Sequence, residues 1–284
     1  MKGQNMYLAF GSEVIYDDAS FLIEDNDKVG VVGVNGAGKT TLFKIILKEE
    51  SLDAGKITVN NKRIGYLPQE INFTDKEKNV LDYLYSGRPI EKLEQELNKV
   101  YEKLSNASEL EQNKLLRQAE KIQSELDSLN QYTAEDELLS LIENMKIDSE
   151  LLEMKVGDLS GGQKSKIAFA RLLFSNSDIL LLDEPTKGID VIYKKEMGKI
   201  ILDLKKQGKT IVIVSHDVEF CAEYGDRCAM FFQGKIISES SIREMICTNR
   251  FYTTVSHKMA GELIEKAITK EEVVWSMTAG SITE

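Results

Sequence analysis

The chain has 284 residues, of which 42% are hydrophobic, and it carries a net charge of −11. This length and apolar fraction allow a sizeable core and exclude a chain that is disordered by composition. The acidic balance argues against broad contact with nucleic acid, and no apolar run approaches the roughly 20 residues that span a bilayer. The three cysteines form no Cys-x-x-Cys pair, which favours free thiols in a reducing cytosol. We therefore expect a cytoplasmic protein that reaches the inner face of a membrane through a partner, if at all.

Short β-branched runs alternate with helical stretches along the chain. Lys28–Val32 is a predicted strand, Thr40–Lys48 a predicted helix, and Ile179–Leu182 and Thr210–Val214 are further predicted strands. Apolar runs without polar alternation are typical of strands buried on both faces, as in a parallel sheet covered by helices. The sequence therefore predicts an α/β fold.

A glycine-rich loop joins the first of these strands to the helix. Gly33–Thr40 fits the P-loop pattern G-x-x-x-x-G-K-[ST], in which backbone N–H groups converge on phosphate oxygens. Lys39 would neutralise the β- and γ-phosphates, and the Thr40 hydroxyl would bind Mg²⁺. The residues expected to contact ATP here are Gly33, Asn35, Gly36, Gly38, Lys39, Thr40 and Thr41.

Gln69 follows the next predicted strand, in the sequence Tyr66-Leu-Pro-Gln69. Its amide can reach Mg²⁺ or the attacking water, so we assign Gln69 both a catalytic and a metal-binding role. An isolated glutamine at such a position is more often structural, and the assignment depends on the P-loop nearby.

The segment 90–130 has a different periodicity from the rest of the chain. Two sets of apolar residues follow a/d heptad spacing: Ile90, Leu93, Leu97, Val100 and Leu104, and then Leu115, Ala119, Ile122, Leu126 and Leu129. Turn-prone residues at 105–108 separate them, which predicts a helical hairpin. Two ordinary amphipathic helices packed on the core are nearly as compatible with this pattern.

A second loop of anion-binding character precedes a predicted helix at Lys164–Phe174. It has the sequence Leu159-Ser160-Gly161-Gly162-Gln163, in which Ser160 is a helix-capping type and the glycines expose N–H groups. The P-loop already covers the phosphates of its own nucleotide. We therefore expect Ser160, Gly161, Gly162 and Gln163 to contact ATP bound by a second cassette, in a head-to-tail dimer.

Two acidic residues end the apolar strand at Ile179. Asp183 is predicted to bind Mg²⁺, and Glu184 to polarise a water molecule in line with the γ-phosphate. Asp190 follows after one short turn and is expected at the dimer seam. His216 ends the strand that begins at Thr210, where its imidazole can contact the γ-phosphate.

These motifs, in this order, resemble the ATP-binding cassette (ABC) superfamily over about residues 5–245. The resemblance implies a RecA-like P-loop NTPase core with a mainly parallel sheet, an N-terminal antiparallel β subdomain, and a helical subdomain at about 75–175 that carries the hairpin. It implies a single cassette over 1–270. The segment 271–284 has no clear periodicity, and we expect it to be a loosely held tail. The resemblance also implies that Phe10 stacks on adenine, with Tyr16 as the alternative.

The resemblance to subfamilies is divided. Residues 1–186 are similar to the first cassette of ABC-F proteins, through the Gly30–Lys39 stretch, the heptad hairpin and Leu159–Leu173. Residues 187–274 resemble the ATPases of energy-coupling-factor importers, through the segments Lys187–Asp190, Ser215–Tyr224 and Phe251–Thr254. A natural recombinant, a fragment and an engineered chimera all fit this division.

The sequence thus predicts an ATPase that uses Mg²⁺ and forms a homodimer or heterodimer of cassettes. The first hypothesis for the coupled process is a motor subunit that acts with a transmembrane permease. The alternative is an ABC-F-type translation factor or antibiotic-resistance ATPase that acts on the ribosome. A regulatory module that no longer hydrolyses ATP is a third possibility, against which Glu184 and His216 argue.

Overall fold

A computed structural model describes residues 1–105, 107–248, 253–260, 264 and 267–279. The chain divides into two compact units. The first comprises Met1–Glu70 and Ser177–Glu284, and the second comprises Ile71–Asn176. The second unit has bounds close to the helical subdomain predicted at about 75–175. Across the described part of the chain, no helix combines the length and apolar character needed to cross a membrane.

All the strands that the structure describes belong to the first unit. They are β1 (Lys2–Phe10), β2 (Glu13–Leu22), β3 (Lys28–Gly33), β4 (Ala54–Thr58), β5 (Ile64–Leu67), β6 (Ile179–Asp183), β7 (Thr210–Val214), β8 (Arg227–Phe232) and β9 (Lys235–Ser241).

The helices are divided between the units. The first unit holds α1 and α8 to α12, and the second holds α2 to α7 with a short 3₁₀ turn at Val156–Asp158. The helices are α1 (Lys39–Ile46), α2 (Val80–Tyr85), α3 (Ile90–Leu104), α4 (Glu109–Ser128), α5 (Ala134–Asn144), α6 (Ser149–Glu153), α7 (Gly161–Phe174), α8 (Val191–Lys206), α9 (Val218–Tyr224), α10 (Ile242–Thr248), α11 (Val255–Ala260) and α12 (Lys270–Ala279).

A six-stranded sheet in the order β5-β6-β7-β3-β8-β9 forms the centre of the first unit. Its pairs are parallel except for β8 with β9. Every residue of β3, β6 and β7 is buried, because both faces of these strands are covered. The predicted, mainly parallel sheet is confirmed, and its strands β3, β6 and β7 all end at the same edge.

A second sheet, in the order β2-β1-β4, is antiparallel throughout. Buried and exposed residues roughly alternate along β1, so one of its faces packs against the core. This is the predicted N-terminal antiparallel subdomain. The sheet places β2 beside the loop that follows β3, through contacts described below.

The predicted hairpin is present in the second unit, where α3 and α4 pack against each other. The heptad residues form the seam: Ile90, Leu93, Leu97 and Val100 of α3 are buried, as are Ala119, Ile122 and Leu126 of α4. At the turn, Asn106 lies outside the described residues. The backbone N–H of Ser108 donates to Glu111 at 3.1 Å, which caps the start of α4.

Arg88 joins the base of this hairpin to α7. Its guanidinium is buried and donates to the carbonyl oxygens of Phe174 at 2.7 Å and Leu129 at 2.9 Å. It also pairs with Glu137 of α5 at 2.5 Å. One buried side chain thus connects the last turn of α7, the end of α4 and α5.

Helix α12 covers most of the segment predicted to be a loosely held tail. Glu272 accepts hydrogen bonds from the N–H groups of Ile268 and Thr269 and pairs with Arg243. Residues 280–284 lie outside the described residues, as do Phe251 and Tyr252 of the motif noted above. The buried cysteines Cys221 and Cys228 are free thiols, as predicted.

Candidate functional site

The loop between β3 and α1 is held by the neighbouring strand β2. Gly36 and Gly38 have positive φ angles of 80° and 91°, a conformation that side chains disfavour. A Cβ atom at Gly38 would lie 2.8 Å from Cγ2 of Ile15. The hydroxyl of Tyr16 donates to the Gly38 carbonyl oxygen at 2.5 Å. The loop therefore requires glycine at these positions, and β2 fixes its end where α1 begins.

Lys39 is buried at the start of α1. Its ammonium donates to the carbonyl oxygens of Gly33 at 2.8 Å and Val34 at 2.9 Å. Burial lowers the pKa of Lys39, while the nearby carboxylates of Glu184 and Asp183 oppose that shift. The ammonium is thus held by neutral loop carbonyls, from which it can turn toward a phosphate.

Asp183 is 1% exposed at the end of β6. Its Oδ2 atom accepts hydrogen bonds from Thr40 Oγ1 at 2.9 Å and from the Tyr66 hydroxyl at 3.4 Å. Its Oδ1 atom is buried and has no hydrogen-bond partner among the described residues. Burial raises the pKa of Asp183, and the hydrogen bond from Thr40 opposes the rise.

This donor set fits a magnesium ion. An unpartnered, buried carboxylate oxygen lies beside a hydroxyl, and both are hard oxygen ligands. No cluster of three or more His, Cys, Asp or Glu side chains that could hold a metal occurs in the described part of the chain. Mg²⁺ commonly takes one or two protein ligands and completes its shell with water and phosphate oxygens. A metal here would therefore depend on a bound nucleotide.

Glu184 has a φ angle of 49°, in the left-handed region that is uncommon for residues other than glycine. Its Oε2 accepts from the His216 backbone N–H at 3.1 Å and from Ser215 Oγ at 3.4 Å. Its Oε1 is buried and lies 3.2 Å from His216 Nε2, without the alignment of a hydrogen bond. Such backbone strain costs roughly 1–3 kcal/mol and is characteristic of functional sites.

These groups surround one cavity of about 720 Å³ within the first unit. The predicted residues that line it come from the P-loop and from the ends of β5, β6 and β7. They are Asn35, Gly36, Gly38, Lys39, Thr40, Thr41, Gln69, Asp183, Glu184 and His216. Parallel strands that end at one edge bring these distant segments together.

Of the two aromatic candidates for adenine stacking, Phe10 is the accessible one. Phe10 ends β1 and is 48% exposed, whereas Tyr16 is fully buried. Tyr16 therefore offers no free face to a base, and its contact with Gly38 gives it a supporting role in the loop. Phe10 does not belong to the described residues that line the cavity, and its contact with adenine stays a prediction.

The remaining predicted residues lie at the N-terminal ends of helices α7 and α8. Ser160 caps α7, and the side chain of Gln163 accepts from the Ser160 N–H at 2.8 Å. The first N–H groups of α7, at Gly161 and Gly162, have no partner within the helix. Asp190 caps α8 by accepting from the N–H groups of Ile192 at 2.9 Å and Tyr193 at 2.8 Å. Their contact with a second nucleotide stays a prediction.

The sequence analysis did not identify Tyr66, whose hydroxyl donates a hydrogen bond to Asp183. Tyr66 belongs to the same Tyr-Leu-Pro-Gln segment as Gln69, but nothing in the sequence indicates which way its ring points. The ring packs edge-to-face on Phe43 with centroids 5.9 Å apart, which directs the hydroxyl to Asp183. The cavity is also lined by Thr186 and Lys187, which the motif analysis did not assign to the site.

The sequence was compared with protein families and with individual known proteins. The sequence model of the ABC transporter family matches residues 16–187. The chain is 32% identical to the uncharacterized ABC transporter ATP-binding protein YfmM of Bacillus subtilis (strain 168), over 74% of this chain and 40% of that protein. It is 31% identical to the ATP-binding protein Uup of Haemophilus influenzae, over 95% of this chain and 40% of that protein.

The fold matches that of solved cassettes. One example is a structure described as the dimeric, post-hydrolysis state of the ATP-binding cassette MJ0796 bound to ADP and phosphate. It aligns with a TM-score of 0.61 at 20% identity, over 85% of this chain and 98% of that one. At this identity the likeness establishes the fold. The chain spans about two fifths to one half of the length of the curated relatives that match it first.

Proposed function

Because the chain belongs to the ABC transporter family of ATP-binding cassettes, we propose that it binds Mg·ATP in the cavity of the first unit and hydrolyses it. The observation that carries this proposal is the convergence of four groups on one cavity. The cavity is lined by the Lys39 ammonium, the Thr40 hydroxyl with the Asp183 carboxylate, the Glu184 carboxylate and the His216 imidazole. This is the set that phosphoryl transfer to water requires.

Each group has a separate task. The N–H groups of the P-loop and the Lys39 ammonium bind the β- and γ-phosphates. Thr40, Asp183 and Gln69 would hold Mg²⁺, which neutralises charge on the phosphates when it is bound. Since Oδ2 of Asp183 already accepts two hydrogen bonds, Oδ1 would be the oxygen available to the metal or to its water shell.

Glu184 orients and polarises the attacking water. Its Oε2 is engaged by the loop that carries His216, whereas its buried Oε1 can accept a hydrogen bond from water. The imidazole of His216 lies beside that oxygen and is half-exposed toward the cavity. It is therefore placed to donate to the γ-phosphate while its backbone N–H keeps the carboxylate oriented.

We further propose that two cassettes form head-to-tail composite sites. The start of α7, at Ser160–Gln163, is a second anion site on a chain whose P-loop already serves one nucleotide. The MJ0796 cassette, which has the same fold, has a dimeric structure in its post-hydrolysis state. Each partner would place its Ser160–Gln163 segment on the γ-phosphate held by the other.

The coupled process that we propose first is transport through a transmembrane permease. The family and the names of several relatives refer to ABC transporters. The second candidate is an ABC-F-type role on the ribosome, and the hairpin in which α3 and α4 pack on each other favours it. Co-purification distinguishes the two, through an integral membrane protein in the first case and ribosomal particles in the second.

The composite site is tested by light scattering during size exclusion. The variant Glu184→Gln should elute as a monomer without nucleotide, as a dimer with Mg·ATP, and as a monomer with Mg·ADP. Adding Ser160→Arg should abolish the dimer while ATP still binds. Ser124→Arg, on the exposed face of α4, is the matched control and should leave the dimer intact. A dimer that persists in the Ser160→Arg variant would contradict the composite site.

A further inference from the structure

The first turn of α8 contacts the loop that carries His216. Lys194 lies one turn after Asp190, and its backbone N–H donates to the Asp190 carbonyl oxygen at 3.0 Å. The Lys194 ammonium forms an ion pair with Asp217, and the two side chains are 28% and 23% exposed. The same ammonium lies 5.8 Å from the centre of the Phe220 ring. The side chain of Lys194 is thus anchored at two points of the segment that begins α9.

Asp217 is in turn fixed in the loop before α9. Its Oδ1 caps that helix by accepting from the Phe220 N–H at 3.0 Å, and its other carboxylate oxygen pairs with Lys194. Its own N–H donates to Ser215 Oγ at 3.0 Å. Ser215 and His216 both contact Glu184. The three-residue loop 215–217 therefore lies between two anchors, Glu184 on one side and Lys194 on the other.

From this arrangement we propose that Lys194 is a positioning residue, which holds His216 against Glu184 through its ion pair with Asp217. The inference rests on the proposed ATPase function and assigns a residue that the motifs do not include. The ion pair is mostly shielded from solvent, so it is less screened than a surface pair. Without it, Asp217 would keep its helix cap, but the loop would lose its anchor on α8.

The proposal also connects two regions of the site. Asp190 is the N-cap of α8, and Lys194 lies one turn along the same helix, so a shift of Asp190 at the proposed dimer seam would move Lys194 with it. The contact with Asp217 would transmit that shift to His216 and Glu184. Assembly of the dimer would in this way affect the orientation of the catalytic pair within each subunit.

A double-mutant cycle on the full chain tests the positioning role. Lys194→Met keeps the aliphatic stem over Phe220 and removes the charge. Asp217→Asn keeps a capping acceptor for α9 and removes the opposite charge. Each single variant should lower kcat by roughly three- to tenfold, with the KM for Mg·ATP, the ATP dissociation constant and Tm close to the parent values. The double variant should be no slower than the slower single variant, since both remove the same contact.

Two further variants complete the experiment. Lys195→Met removes the neighbouring, exposed charge on α8 and should keep the parent kcat, and Lys194→Arg should retain most of it. If Lys194→Met matches Lys195→Met, or if the effects of the single variants multiply in the double variant, the positioning role is wrong while the ATPase function stands. If the parent shows no Mg·ATP turnover, the proposed function itself fails, and the positioning role fails with it.

Discussion

His216 contacts both carboxylate oxygens of Glu184, one through its backbone and one through its ring. The backbone N–H donates to Oε2 at 3.1 Å, and Nε2 lies 3.2 Å from Oε1. Glu184 also has a left-handed backbone conformation, with a φ angle of 49°. The carboxylate is thus oriented before substrate binds, which is what a group that orders water requires.

Replacing Glu184 with Gln should lower ATP turnover by roughly 100-fold or more while ATP binding is retained. The amide oxygen can still accept from the His216 N–H, so the local fold is kept, but the charge that polarises water is lost. Phosphate release and equilibrium binding of a fluorescent ATP analogue provide the two measurements. Turnover close to that of the parent would exclude Glu184 as the group that activates water.

Replacing Lys39 with Ala should weaken ATP binding by roughly tenfold to 100-fold, because a charge-assisted contact with the phosphates is lost. Lys44→Ala, an exposed position on the same helix, is the matched control and should bind ATP as the parent does. Isothermal titration measures both. Equal affinities for the two variants would count against a phosphate contact by Lys39.

Replacing Asp183 with Asn should reduce the gain in ATP affinity that Mg²⁺ produces, with little change in affinity in the presence of EDTA. The unpartnered Oδ1 of Asp183 is the atom that we assign to the metal side. Titration of ATP with and without Mg²⁺ measures the gain, and Asp203→Asn, at an exposed ion pair on α8, is the control. An undiminished gain in Asp183→Asn would show that the metal is held elsewhere.

Replacing Phe10 with Ala should weaken ATP binding by roughly tenfold, since aromatic stacking on a base contributes about 1–3 kcal/mol. Phe10 is half-exposed, so its removal should leave Tm almost unchanged. Phe10→Tyr keeps an aromatic ring and should retain the ATP affinity of the parent. Tyr7→Ala, which removes a similarly exposed ring from the same strand, is the control. If Tyr7→Ala lowers affinity as much as Phe10→Ala, the effect belongs to the sheet and not to stacking.

Local pattern was sufficient for much of the architecture. The uniformly apolar runs at Ile179 and Thr210 are strands buried on both faces, and the heptad spacing from Ile90 onward forms a paired hairpin. The P-loop glycines occur where positive φ angles are needed, at Gly36 and Gly38. In each case the information is carried by neighbouring residues, because periodicity and backbone sterics act over a few positions.

The sequence by itself therefore determined the fold class and identified most of the residues that line the cavity. It did not determine that Tyr66 donates to Asp183, that Tyr16 is buried under the P-loop, or that Lys194 pairs with Asp217. These contacts join residues 22 to 117 positions apart in the chain. The direction of each side chain depends on how the strands and helices pack, and a motif restricted to a few adjacent residues carries no information on that packing.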